Sequence, residues 1–101
     1  MKVIINGVKY DTSTATCIGV YSYGYGSSRN YMREELYQKK TGSFFLYCEG
    51  GPDSPYAVQF VDYNFRSGSI FIPISEEEAR DWAERHSSVK NYEIVFGVVE
   101  E

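Results

Sequence analysis

One histidine, two cysteines and two clusters of carboxylates are the residues of this chain whose types could do chemistry. A nucleophile made from Cys48 and the lone His86 would also need an orienting Asp or Asn, and the strand pattern around Cys48 turns it towards a core, where a thiol is inert. His86 itself falls in the last turn of an expected helix, an ordinary place for a polar or cationic residue. Cys17 and Cys48 read as separate thiols, since a disulfide is unexpected in a reducing compartment and two distant cysteines with one histidine give no zinc spacing. Asp53, Asp62 and Asn64 do not form a calcium loop. Glu34 and Glu35 are adjacent on a strand and point to opposite faces, so they cannot flank one glycosidic bond, while Glu76-Glu77-Glu78 are explained by a helix start. Gly24-x-Gly26 lacks the third glycine and the strand-to-helix setting of a phosphate loop. These residues predict no enzyme, no cofactor and no metal.

The elements that would position any site begin with Tyr31 to Pro52, which reads as a long β-hairpin. A three-residue loop, Lys40-Thr41-Gly42, places glycine at the left-handed position of a type I turn with a bulge. Tyr37 then pairs with Phe45, Glu35 with Tyr47 and Arg33 with Glu49. A two-residue loop is the second choice, because it would scatter apolar residues onto both faces. In the preferred register, Met32, Leu36, Phe44, Leu46 and Cys48 share a core face. Tyr31, Arg33, Glu35, Tyr37, Phe45, Tyr47 and Glu49 share the other, which reads as wet or partner-facing.

Before the hairpin, Asn6-Gly7 between short apolar runs predicts a tight two-stranded ribbon over residues 2–10. Asp11-Thr12-Ser13-Thr14 offers several N-caps, and Ala15 and Ile18 with Cys17 and Tyr21 suggest a short, weak helix over 13–20. Residues 21–28 contain only tyrosine, glycine and serine. They read either as a mobile connector or as a recognition loop of the kind antibodies use, in which tyrosine gives contact area at low entropic cost. After Pro52, residues 56–61 are ambiguous between strand and helical turn, and 62–68 suggest a loop anchored by Tyr63 and Phe65. Residues 69–74 form a strand whose Pro73 belongs at a sheet edge. Ser75-Glu76-Glu77-Glu78 is a capping box, and Ala79, Trp82, Ala83 and His86 form an apolar stripe, so a helix over 75–87 packs on the sheet through Trp82. Ser88 can cap a second short helix that ends at Gly97, leaving 98–101 as a tail.

At 101 residues the chain fits one domain, 1–101, and 43% hydrophobic content with 17% aromatics argues against disorder. The expected class is α+β: a small antiparallel sheet from the two hairpins and the 69–74 strand, with the C-terminal helix on one face. No apolar run is long enough for a membrane span and the N-terminus lacks a signal peptide's pattern, so a cytoplasmic location is expected. The net charge is −4, with an excess of two positive charges in residues 1–50 and of six negative charges in 51–101. That acidic second half disfavours non-specific nucleic-acid binding, although Tyr31, Tyr37, Phe45 and Tyr47 on one hairpin face, with Lys39 and Lys40 at its tip, could stack single-stranded bases. The first expectation is a protein partner, contacted by Tyr21, Tyr23, Tyr25, Tyr37 and Tyr47 with Lys39 and Lys40, since exposed aromatics among Ser and Gly have the composition of interface hot spots. Single-stranded nucleic acid is the alternative.

Three stretches carry a resemblance. Val-Lys-Tyr-Asp-Thr-x-Thr-Ala-x-x-Ile-Gly at 8–19, Glu-Glu-Leu-Tyr-x-Lys-Lys-Thr-Gly-x-Phe-Phe-Leu-Tyr-x-Glu-Gly-Gly at 34–51 and Ile-Pro-Ile-Ser-Glu-Glu-Glu-Ala-Arg-x-Trp-Ala-Glu at 72–84 resemble a group of short, mostly uncharacterised proteins of bacterial mobile elements and phages. The resemblance implies a small accessory protein that binds a host or element-encoded protein, including inhibitors of host defence of the anti-CRISPR kind. It supplies no catalytic residues to carry over.

Overall fold

The computed structural model describes residues 1–61 and 64–101, and their side chains except at 60, 61 and 64. The element order is β1 (Lys2–Ile5), β2 (Val8–Asp11), β3 (Thr16–Tyr23), β4 (Met32–Gln38), β5 (Phe44–Gly50), β6 (Val58–Val61), β7 (Asn64–Arg66), β8 (Gly68–Ile74), α1 (Glu76–His86) and α2 (Val89–Phe96). The domain is α+β. β3, β4, β5 and β8 form an antiparallel sheet in that order, and β1–β2 and β6–β7 are separate two-stranded ribbons.

The central hairpin keeps the expected register, with Arg33 opposite Glu49, Glu35 opposite Tyr47 and Tyr37 opposite Phe45. The Gly42 N–H donates to the Lys39 carbonyl at 2.9 Å and the Lys39 N–H donates to that of Ser43 at 2.8 Å. Gly42 sits at φ +96°, which is why the turn needs glycine there. Asn6 and Gly7 both take positive φ, closing β1 onto β2 in the mirror-image turn that Asn-Gly favours. This ribbon does not join the main sheet, as the sequence had suggested it would.

Its place is taken by β3, which overturns the expected helix over 13–20. Asp11 does act as a cap, but only of a turn. Its Oδ1 accepts from the Ser13 N–H at 2.9 Å and from the Ser13 hydroxyl at 2.7 Å. Beyond that turn Thr16, Ile18, Val20, Tyr21 and Tyr23 are β-branched or aromatic, and strand pairing against β4 outweighs the weak helical stripe. A bulge between Cys17 and Gly19 turns Ile18 into the core. The first three residues of the Tyr-Gly-Ser segment are thus strand, not loop. β6 makes the ambiguous 56–61 stretch a strand from Val58 onward, with Tyr56 in a turn; β7 replaces the expected loop at Asn64–Arg66, Phe65 is exposed rather than an anchor, and Asp62 and Tyr63 lie outside the described residues. β8 is an edge strand, so Pro73 needs no ladder partner on its outer side.

Both C-terminal helices start as expected. The Ser75 hydroxyl accepts from the Glu78 N–H while the Glu78 carboxylate accepts from the Ser75 N–H, and Ser88 caps α2. Ala79, Trp82 and Ala83 bury against Ile18, Leu36 and Phe44, and Tyr92, Val95 and Phe96 of α2 extend the cluster. α2 is held to the sheet at the outer edge of β3, where the Asn91 side-chain amide donates to the Ile18 carbonyl at 3.0 Å. Among the described residues no helix is long and apolar enough to cross a membrane.

The opposite face of the sheet is not the open surface that alternation suggested. Phe45 is 0% and Tyr47 5% exposed. Tyr10 of β2 lies edge-on to Phe45 at 5.4 Å, Tyr37 stacks on Phe45 at 5.2 Å, and Phe71 of the neighbouring strand lies 5.1 Å from Tyr47. Rings from a distant ribbon and from β8 therefore enclose what the hairpin alone would leave wet.

Candidate partner-binding site

The seven residues expected to meet a partner are divided among four places. Tyr21 packs on the helical side, its ring stacked on His86 with centroids 4.0 Å apart. Tyr37 and Tyr47 lie on the other face and direct their hydroxyls at carboxylates two residues along their own strands, Glu35 at 2.7 Å and Glu49 at 3.1 Å. Burial, reinforced by those carboxylates, raises both phenols above their ordinary range, so they stay neutral donors. Lys39 and Lys40 sit at the far end of the hairpin, the Lys39 ammonium 4.5 Å from the centre of the Tyr10 ring. A seven-residue strand spans about 20 Å, which separates these lysines from the loop beyond Tyr23. Tyr23 and Tyr25 remain exposed at the other end, 54% and 84% respectively.

That end is built from short, specific contacts. Gly24 turns the chain at φ +75°. The carbonyl of Tyr25 accepts from the Ser28 N–H at 2.9 Å and from its hydroxyl at 2.7 Å. Arg29 then donates through Nε and Nη2 to the two oxygens of Asp53, at 3.1 and 3.3 Å, while its carbonyl accepts from the Asp53 N–H at 2.7 Å. The Gly51 N–H donates to the Tyr31 carbonyl at 2.8 Å. A Cβ at Gly51 would lie 2.6 Å from the Arg29 carbonyl oxygen, so the two segments approach closely only because this residue is glycine. The loop carrying Tyr25 is therefore sewn to the turn at 50–54.

Beneath the loop lies a cleft of about 560 Å³, bounded by residues 26–29, Tyr31, Tyr47, residues 49–52 and residues 67–69. Among the described residues that bound it, Glu49 is the one carboxylate. Tyr31 donates to one Glu49 oxygen at 3.3 Å and Tyr47 to the other at 3.1 Å. Burial and the Glu49 charge raise Tyr31 above its ordinary range as well. Arg33, opposite Glu49 in the register, turns instead along its own strand and donates Nε to Glu35 at 2.7 Å.

A second polar cluster, under the helices, was not foreseen. Glu34 is on the helical face, where its two oxygens accept from the Trp82 indole N–H at 2.9 Å and from the Tyr56 hydroxyl. Cys48, its cross-strand neighbour, is fully buried, and burial pushes its thiol up to about 11. His86, between Tyr21 and Trp82, is lowered below its ordinary value by burial and then by Arg85, with Glu34 opposing. The group holds the helix to the sheet. The opposite facing of Glu34 and Glu35 was the one signal in the sequence that pointed to it.

Among the described residues no group of three His, Cys, Asp or Glu side chains could hold a metal ion. Of the hairpin rings expected to stack bases, Phe45 and Tyr47 are buried and Tyr37 is half-buried with one face against Phe45. Comparison with family models, curated proteins and solved structures finds no match.

Proposed function

We propose that the protein is a small, non-enzymatic protein-binding accessory protein that meets its partner with the loop at 23–29 and the adjoining cleft. One observation carries this reading: Tyr25 is 84% exposed on a loop whose backbone is held by Ser28, the Arg29–Asp53 pair and the Gly51–Tyr31 hydrogen bond. A large ring with few rotatable bonds, presented by an ordered loop, loses little entropy on binding. The resemblance to proteins of phages and mobile elements supports a host-defence protein, such as a CRISPR effector, as the partner class.

The test is capture of the partner by tagged protein from the host lysate, compared between wild type, Tyr23→Ala and Tyr25→Ala. Loss of an anchor weakens binding by about 2 kcal/mol or more while leaving the melting temperature near wild type. Capture unchanged in both variants refutes the proposed contact.

A further inference from the structure

We infer that the cleft beside Tyr25 is a receptor for a guanidinium group, so that the partner inserts an arginine side chain towards Glu49. The inference deepens the protein-binding reading and rests on it. Its first ground is charge. The Glu49 carboxylate lines the cleft; its cross-strand neighbour Arg33 hydrogen-bonds Glu35 and acts on Glu49 through its charge, so one guanidinium lies between two carboxylates, and the groups that donate to the Glu49 oxygens are the phenols Tyr31 and Tyr47. The other charged group on the cleft wall, Arg29, is paired through both nitrogens with Asp53. The Glu35–Arg33–Glu49 group beside the cleft therefore keeps an excess of one carboxylate over its guanidinium. Two phenol donors orient the Glu49 carboxylate but do not neutralise it, and each oxygen keeps a further acceptor direction.

The second ground is shape and lining. A space of about 560 Å³ admits a long side chain with peptide on either side. Its lining includes half-buried Tyr31 with Ser27, Ser67 and Ser69. A planar cation with five fixed donors uses such a setting better than a compact ammonium does, because it can reach a carboxylate and nearby hydroxyls at once while lying along an aromatic face. Lysine would bring the charge and three donors on one atom, without the planar fork that reaches a carboxylate in two bonds. A neutral polyol would leave the Glu49 charge unanswered.

The experiment uses the whole protein at low ionic strength, with N-acetyl-arginine methylamide as probe, followed by amide shifts in NMR. The lysine and citrulline analogues serve as comparators, citrulline being the neutral counterpart of arginine. The expected result is saturable shifts at residues 26–29, 49–51 and 67–69, at least tenfold tighter for arginine than for citrulline and weaker for lysine, with Glu49→Gln abolishing the preference. If Glu49→Gln does not fold, the arginine-to-citrulline ratio on the wild type decides. Equal binding of arginine and citrulline, shifts confined to the acidic helices, or no saturable shift at all would each overturn the inference. Its failure is separable from that of the contact reading. Partner capture that depends on Tyr25 without an arginine preference sinks only the guanidinium site, whereas an arginine preference with capture indifferent to Tyr25 sinks only the loop contact.

Discussion

Replacing Trp82 tests the link on which the whole helix-to-sheet packing rests. Its ring is 3% exposed, lies in the cluster formed with Ile18, Leu36 and Phe44, and its N–H donates to Glu34 across 48 positions of sequence. Trp82→Ala removes the packing and leaves a cavity, at a cost of about 3–5 kcal/mol. A domain of this length has a total stability of roughly 5–15 kcal/mol, so the change removes a large share of it. At roughly 4–8 °C per kcal/mol the melting temperature should fall by at least about 12 °C. Trp82→Phe keeps most of the apolar area but deletes the indole donor. A hydrogen bond to a charged group is worth about 1.5–3 kcal/mol, and the partial exposure of Glu34 places this one at the low end. The double variant with Glu34→Gln should then cost less than the sum of the single changes, because both remove the same contact. Thermal and urea melts followed by circular dichroism measure all of these. A Trp82→Ala melt within about 4 °C of wild type, equivalent to under 1 kcal/mol, would refute the packing argument.

The remaining expectations use independent features. His86 is the only histidine, and its folded value is lowered, so the unfolded chain binds the proton more readily. Stability from this group is present above the ordinary value near 6.5 and is lost as pH falls below it; His86→Gln should flatten the melting temperature between pH 7 and 5.5, and an unchanged pH profile would refute the assignment. Gly51→Ala forces a Cβ against the Arg29 carbonyl and should cost about 1–3 kcal/mol, whereas Gly26→Ala, which meets nothing within 4 Å, should melt near wild type; equal melts would contradict the close approach. Thiol titration should find one accessible cysteine in the native protein, exposed Cys17, reacting more slowly than a free thiol because burial and then Glu35 raise it, and a second only after denaturation, since Cys48 is buried with its thiol pushed up to about 11. Ser75→Ala removes the α1 cap and should lower stability by about 1 kcal/mol in a urea melt.

The parts of the fold legible in the sequence were those set by local chemistry. The glycine at 42 fixed the turn, and the turn fixed the register of every pair in the central hairpin; Ser75 with Glu78 fixed the start of α1. Residues 11–20 misled for an equally local reason. Asp11 and Ser13 offer the same side-chain hydrogen bonds to a helix start and to an isolated turn, and only the partner strand β4, supplied from residues 32–38, decides between them. The open face of the hairpin was misjudged because alternation tells which residues share a face and is silent about what covers it. Tyr10 and Phe71 do the covering, from β2 and β8.

The candidate site shows where a finer signal lay. Tyr37 and Tyr47 each have a glutamate two positions away on the same strand, Glu35 and Glu49, and alternation puts such a pair side by side on one face. A half-buried carboxylate needs donors, and a neighbouring phenol supplies one while adding apolar area. Tyrosines in that pattern are thus committed to their own sheet. Tyr23 and Tyr25 have only tyrosine or serine at the corresponding positions, and these two are the exposed rings of the 21–28 segment. Applied to the sequence, the rule commits Tyr37 and Tyr47 and leaves Tyr23 and Tyr25 unclaimed; it is silent on Tyr31 and Tyr56, whose hydroxyls reach Glu49 and Glu34 from other segments, and on Tyr21, which the helix covers, because those contacts are set by the tertiary fold rather than by spacing along one strand.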